Sequence, residues 1–97
     1  MNIQAMMQQA RKLQKDLEKT TAEVEATTFK YENDNILVEA LGNNKITKIQ
    51  VKNEVILEDK EMLEDIVLVA VNDVLDQIQK EKDSKLGKYT NGLGGLF

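Results

Sequence analysis

Residues 27–52 read TTFKYENDNILVEALGNNKITKIQVK, and this stretch decides the fold. It is rich in β-branched and aromatic side chains, which is typical of strands. Two clusters of turn-forming residues, Asn33-Asp34-Asn35 and Gly42-Asn43-Asn44, divide it into three segments. The pattern predicts one strand in TTFKYEN and two more over residues 36–41 and 46–52. Because the connections are short, we expect an antiparallel meander.

A heptad pattern precedes the sheet and predicts one helix from residue 2 to about residue 24. Good helix formers fill most of the positions between its apolar or small members. We call these members the seam: Ile3, Met6, Ala10, Leu13, Leu17, Thr20 and Val24. Their alternating spacing of three and four residues is that of a helix packed along one narrow side against another helix.

A second helix is predicted from about residue 60 to residue 82. Either Glu58 or Asp59 could cap it, and Glu58 with Glu61 has the spacing of a capping box. Its apolar positions cover nearly half of the helical wheel, enough to pack on a sheet and on a second subunit. They are Leu63, Ile66, Val67, Ala70, Val71, Val74, Leu75 and Ile78.

The remaining stretch, residues 84–97, holds four of the five glycines, so we expect it to be mobile and without regular structure. The prediction is a single α+β domain over residues 1–83 followed by a flexible tail. The order of elements is α-β-β-β-α, with a three-stranded antiparallel meander and a long N-terminal helix. A core without Trp and with 4% aromatic residues is thin for 97 residues, which favours a homodimer.

The composition argues against an enzyme. With no His and no Cys, the chain lacks the commonest general base, the commonest metal ligand and thiolate nucleophiles. Glu61 and Asp65 could meet on one helix face, but nothing around them marks a catalytic acid. We therefore expect no catalytic residue, no metal, no cofactor and no small-molecule substrate. No apolar run approaches the roughly 20 residues of a membrane span, and no secretory signal is evident, so the expected location is the cytoplasm.

The basic residues suggest an anionic partner. On the first helix Arg11, Lys12, Lys15 and Lys19 follow one another on the side away from the seam; we call them the basic stripe. Rows of this kind can bind phosphates with little regard to base sequence. Lys48 and Lys52, on the polar face of the third strand, are second-rank candidates. The alternative is an ordinary solvated helix face, because Asp16 and Glu18 lie among the lysines and the net charge is −4.

At this point the order of parts resembles that of the YbaB/EbfC family of small bacterial nucleoid-associated proteins. The resemblance covers essentially the whole chain. Its most specific piece is Leu63-Glu64-Asp65 followed by Ala70-Val71-Asn72-Asp73, and the next is Thr90 to Leu93. Two places differ: Asn33-Asp34-Asn35 stands where the family usually has glycines, and Gly94-Gly95 lacks the Pro common in the family.

The resemblance implies an α-β-β-β-α subunit, a homodimer with projecting N-terminal helices, and binding of double-stranded DNA with little or modest sequence preference. It implies neither enzyme activity nor a cofactor. We therefore expect a nucleoid-associated DNA-binding protein with a role in nucleoid organisation and gene regulation. The alternative is a protein–protein interaction module that docks a partner through the seam, in which case the lysines only keep the helix soluble.

Overall fold

The computed structural model describes residues 2–93, and for residues 88 and 90–93 it describes the backbone alone. The elements follow one another in the order helix, three strands, a short 3-10 helix at Glu54–Glu58, and helix. Their bounds are α1 Ile3–Ala26, β1 Thr28–Glu32, β2 Ile36–Leu41, β3 Ile46–Val51 and α2 Lys60–Leu93. The predicted α+β class and the α-β-β-β-α order are confirmed.

Both ends of α1 are fixed by short polar side chains. The Asn2 Oδ1 atom accepts hydrogen bonds from the backbone N–H groups of Gln4 and Ala5, at 3.0 and 3.3 Å. An Asn at this position satisfies amides that a helix leaves without intrahelical partners. At the other end the Thr27 hydroxyl donates to the Glu23 carbonyl oxygen at 2.7 Å. The helix therefore begins one residue later and ends two residues later than predicted.

The strands form a meander with the order β1-β2-β3, as predicted, and both pairs are antiparallel. Asn33 shapes the first turn, because its Oδ1 accepts from the Asn35 and Ile36 amides at 2.8 and 3.0 Å. In the second turn Asn44 has φ 69°, a left-handed conformation that Asn tolerates better than most residues. Asn residues therefore stabilise both turns.

A bulge interrupts the regular alternation of faces along β3. Glu39 pairs with Lys48, but the next residue of β2, Ala40, pairs with Ile46. Thr47 is the additional residue on β3, and beyond it Ile49 lies opposite Val38. Ile46 and Ile49 can therefore both point to the core face, although in a regular strand two residues three positions apart would point to opposite faces.

The core lies between one face of the sheet and α2. Its six fully buried side chains come from β2 and from one side of α2: Ile36, Val38, Ala40, Ala70, Val74 and Ile78. Phe29 and Tyr31 of β1 close one side and Ile46 of β3 closes another. Since α2 packs mainly on β1 and β2, strand β3 is less well covered, and its Ile49 remains 51% exposed.

The second helix begins where it was predicted and ends eleven residues later. Asp59 is the residue that caps it, with Oδ1 accepting from the Met62 amide at 3.1 Å, whereas Glu58 ends the 3-10 helix. The prediction that residues 84–97 lack regular structure is wrong for residues 84–93, which continue α2 to Leu93. The reason is tertiary: Tyr89 is 7% exposed, and its hydroxyl lies 3.3 Å from Thr20 Oγ1 on α1. Residues 94–97 lie outside the described part of the chain.

The C-terminal end of α1 is fixed to the second turn of the sheet. The Gly42 amide donates to the Thr27 carbonyl oxygen at 3.0 Å. A Cβ on Gly42 would overlap the carbonyl group of Val24, so this close approach requires glycine. From this point α1 runs away from the sheet, and the chain is elongated, with principal extents of 70, 21 and 15 Å.

Candidate nucleic-acid interface

Burial along α1 falls steadily from its C-terminal end to its N-terminal end. Val24 is buried, Thr20, Leu17 and Leu13 are half-buried, and all residues from 2 to 12 are exposed. Ile3 and Met6 of the seam are 70% and 53% exposed. We call residues 3–19 the arm, because they precede the contact between Thr20 and Tyr89 and extend away from the sheet.

The basic stripe lies on this arm. Arg11, Lys12, Lys15 and Lys19 are all exposed. At 100° per residue they occupy one side of α1, opposite the seam residues that pack toward α2. The stripe is about 12 Å long, because eight residues separate Arg11 from Lys19. A strand of B-DNA presents three to four phosphates over about that length.

Acidic neighbours do not neutralise the stripe. Among the side chains that the structure describes there are three ion pairs, Lys30–Glu32, Lys52–Glu32 and Lys60–Glu64, and none of them includes a cation of the stripe. Glu18 instead accepts a hydrogen bond from the side chain of Gln14 at 3.5 Å. The four cations are therefore free to bind external anions.

The second-rank candidates on the sheet are differently placed. Lys48 and Lys52 are both exposed, as predicted, but Lys52 Nζ lies 3.0 Å from Glu32 Oε2. The hydrogen bond from Lys52 and its charge lower the pKa of Glu32, and the charges of Lys30 and Lys48 add to this effect. Because Lys52 already has an anionic partner, it is less available to phosphate than the stripe.

The register adds a lysine that sequence reasoning missed. Lys30 of β1, Glu39 of β2 and Lys48 of β3 lie opposite one another in a row on the face away from α2. Glu39 therefore lies between two lysines, an arrangement that favours cross-strand pairing over binding of an external anion. The alternation within TTFKYEN could have placed Lys30 on a polar face, but only the strand register puts it beside Lys48.

Other kinds of site have little support in the described residues. Glu61 and Asp65 are both exposed, as expected for a solvated acidic face. Within residues 2–93, no group of three or more acidic residues is arranged to hold a metal ion. None of the helices in that part of the chain is both long and apolar enough to cross a membrane.

One family model covers the projecting helix with its basic stripe, the three-stranded meander and the long final helix. The model of the YbaB/EbfC DNA-binding family matches residues 1–93. The chain belongs to this family. The match includes residues 84–93, which lie beyond the domain boundary at residue 83 that we predicted.

Bacterial relatives of the YbaB/EbfC chain cover nearly its whole length. A nucleoid-associated protein of Ligilactobacillus salivarius is 41% identical, over 99% of this chain and 95% of the relative. A nucleoid-associated protein of Lactococcus lactis is 46% identical, over 96% of this chain and 97% of the relative. A third, from Enterococcus faecalis, is 40% identical, over 98% of this chain and 94% of the relative. The predicted family is thus confirmed, whereas the roles of individual lysines stay predictions.

Proposed function

We propose that the chain is a nucleoid-associated protein that binds duplex DNA through phosphate contacts of the basic stripe. The observation that carries this proposal is the placement of the stripe. Its four cations are exposed, have no ion pair within the described residues, and lie on the side of the projecting arm away from α2. Family membership and the names of the relatives support the choice of DNA as the anion.

Contacts to phosphates position a protein on DNA but do not read the base sequence. We therefore propose a low sequence preference, a location on the nucleoid in the cytoplasm, and roles in nucleoid organisation and gene regulation. Lys48 and Lys52 contribute less in this proposal, because the sheet face on which they lie also carries Glu32 and Glu39.

We further propose that the functional unit is a homodimer. Large apolar side chains outside the arm stay exposed, among them Val55 at 67%, Leu68 at 60% and Val69 at 57%. The six-residue core is small for the amount of apolar surface that remains, and a second copy could cover it. Sedimentation equilibrium should give a mass near twice 11.0 kDa. A cooperatively folded monomer at micromolar concentration would contradict the dimer.

The test of DNA binding is a salt titration of three variants, in which the control loses as many charges as the stripe variant. Lys12, Lys15 and Lys19 are changed to Gln together; Lys48 and Lys52 are changed as a pair. The control changes Lys45, Lys60 and Lys80, which are exposed residues outside the proposed contact surface, by the same net charge as the stripe variant. Gln preserves helix propensity, so the fold should persist. Fluorescence anisotropy with a random and a defined duplex gives log K against log salt.

Each lost phosphate contact should lower the salt slope by about 0.9. For the stripe variant we expect a decrease of about 3 for each engaged subunit, with similar weakening on both duplexes. The sheet variant should lose less, and the control should keep the parental slope. If the stripe variant binds as the parent does at every salt concentration, the proposal is wrong.

The second candidate is a protein-interaction module that uses the seam. The exposure of Ile3 and Met6 at its N-terminal end favours it. Docking of apolar side chains should change little with salt, whereas phosphate binding should weaken steeply. The absence of any DNA binding at low salt, together with a salt-insensitive protein complex, would support this alternative.

A further inference from the structure

The course of α2 relative to α1 determines what can lie beyond Leu93. Near its start, Asp65 and Ile66 of α2 lie beside Tyr31 of β1, and further along the Gln77 side-chain Nε2 donates to the Lys30 carbonyl oxygen at 3.0 Å. Further on still, Tyr89 meets Thr20. As its residue numbers rise, α2 therefore passes the sheet and then follows α1 backwards. The two helices are antiparallel, so the C-terminal end of α2 points along the arm.

The seam in this direction carries an apolar groove. Ala10, Leu13, Gln14 and Leu17 line a space of about 250 Å³ on α1. Leu13 and Leu17 are half-buried, and the groove begins one turn beyond Thr20. A cavity of about 150 Å³ accommodates a benzene ring, so the groove is large enough for a phenyl side chain.

The chain that follows α2 is apolar and long enough to reach this groove. Residues 94–97 are Gly-Gly-Leu-Phe, without a charged side chain. From Thr20 to Leu13 the axis of α1 advances about 10 Å. The helical turn from Tyr89 to Leu93 advances about 6 Å, and four extended residues add up to about 14 Å. A segment of this length can therefore span the distance to Leu17 and Leu13.

We propose that residues 94–97 of the same chain occupy the seam groove, with Leu96 and Phe97 packed against Leu13 and Leu17. This docking extends the contact between Tyr89 and Thr20. It packs the part of the arm next to Thr20 against the chain that follows α2. It covers the seam around Leu13 and Leu17 and leaves the basic stripe on the opposite side exposed. The proposal stands whether or not the stripe binds DNA.

Disulfide trapping tests the proposal directly, because the chain has no Cys of its own. The test pair is Gln14→Cys with Gly95→Cys, which keeps Leu13, Leu17, Leu96 and Phe97 intact. The control pair is Lys12→Cys with Gly95→Cys, since Lys12 lies on the other side of α1. Under oxidised glutathione, a disulfide requires Cα atoms within about 7 Å.

We expect the test pair to form a disulfide within one chain at least about tenfold faster than the control pair. The reason is that the rate of disulfide formation increases when the two Cα atoms are close together. On a non-reducing gel this product remains a monomer. Equal rates for the two pairs would overturn the proposal. A covalent dimer as the main product would also overturn it, because the groove would then be occupied by a second copy.

A second variant avoids engineered cysteines. Leu96→Ser with Phe97→Ser leaves the full chain and its core unchanged. Amide exchange at residues 10–17 should then quicken about fivefold or more, whereas exchange in β2 should keep its rate, because local opening depends on local packing. Unchanged exchange in α1 would contradict the docking of these two side chains.

Discussion

Apolar side chains of similar size have opposite environments in the two parts of this molecule. In the body, which we define as the sheet and the part of α2 packed on it, Ile36 and Ile78 are fully buried. In the arm, Ile3 is 70% exposed although it belongs to the regular seam. The difference shows that a heptad pattern predicts the face of a helix that can pack, while the length of the neighbouring element decides how much of that face is covered.

The same comparison separates two distributions of charge. On the body, lysines and carboxylates share one face of the sheet, and Lys52 pairs with Glu32. On the arm, the four cations of the stripe have no ion pair within the described residues. A region whose charges are already paired adds little to anion binding, so the arm is the better candidate for the DNA contact.

The largest expected effect compares one isoleucine from each part. Ile78→Ala should lower the free energy of unfolding by about 2–5 kcal/mol, because it leaves a cavity in the core. Ile3→Ala should change it by less than about 0.5 kcal/mol, because an exposed side chain loses few contacts. Urea denaturation followed by circular dichroism measures both. A large loss for Ile3→Ala would show that a partner covers the arm.

A smaller effect is expected from two glycines with different surroundings. Gly42→Ala should destabilise the protein by about 1–3 kcal/mol, because its Cβ would overlap the Val24 carbonyl group. Gly87→Ala should stabilise it by about 0.5–1 kcal/mol, because Ala is the better helix former and a Cβ there meets no described atom within 4 Å outside its own stretch of helix. Thermal melts of the two variants should shift in opposite directions. Shifts of the same sign would refute this account of where α1 is fixed.

The smallest effect concerns the paired charges of the sheet. Lys52→Gln should raise the pKa of Glu32, which Lys52 lowers in the folded protein. Because the folded pKa is the lower one, the stabilisation is present above the unfolded pKa and is lost as the pH falls through the folded pKa. Carboxyl chemical shifts in an NMR titration report the change. Lys60→Gln is the control, and an equal shift of the Glu32 pKa in that variant would contradict a specific pair.

Much of the fold could be predicted because local signals agree with it. The turn residues Asn33 and Gly42 mark the ends of strands, and the bounds of β2 match the prediction. The end of α2 could not be predicted from local signals, because Gly87 and Gly92 lower the helix propensity there. The burial of Tyr89 against α1, which favours the longer helix, is a tertiary contact. The bulge at Thr47 was missed for a similar reason, since register is a property of two strands and not of one.

For the candidate site, the sequence predicts which side of α1 carries the stripe, because helical spacing alone determines it. It does not predict the pairing of Lys52 with Glu32 or the row that contains Lys30, since both depend on strand register. Nor does it predict that α2 continues along α1 and that only the arm before Thr20 projects. The ranking of the stripe above the sheet lysines therefore gains its physical reason from the structure.

The most direct test of the central claim, that the arm rather than the body binds DNA, is an NMR titration of the labelled protein with a short random duplex. We predict that amide signals of the arm around Arg11, Lys15 and Lys19 shift or broaden first, while those of β3 change little. The effect should diminish as salt is added. Changes centred on Lys48 and Lys52, with the arm unaffected, would contradict the account.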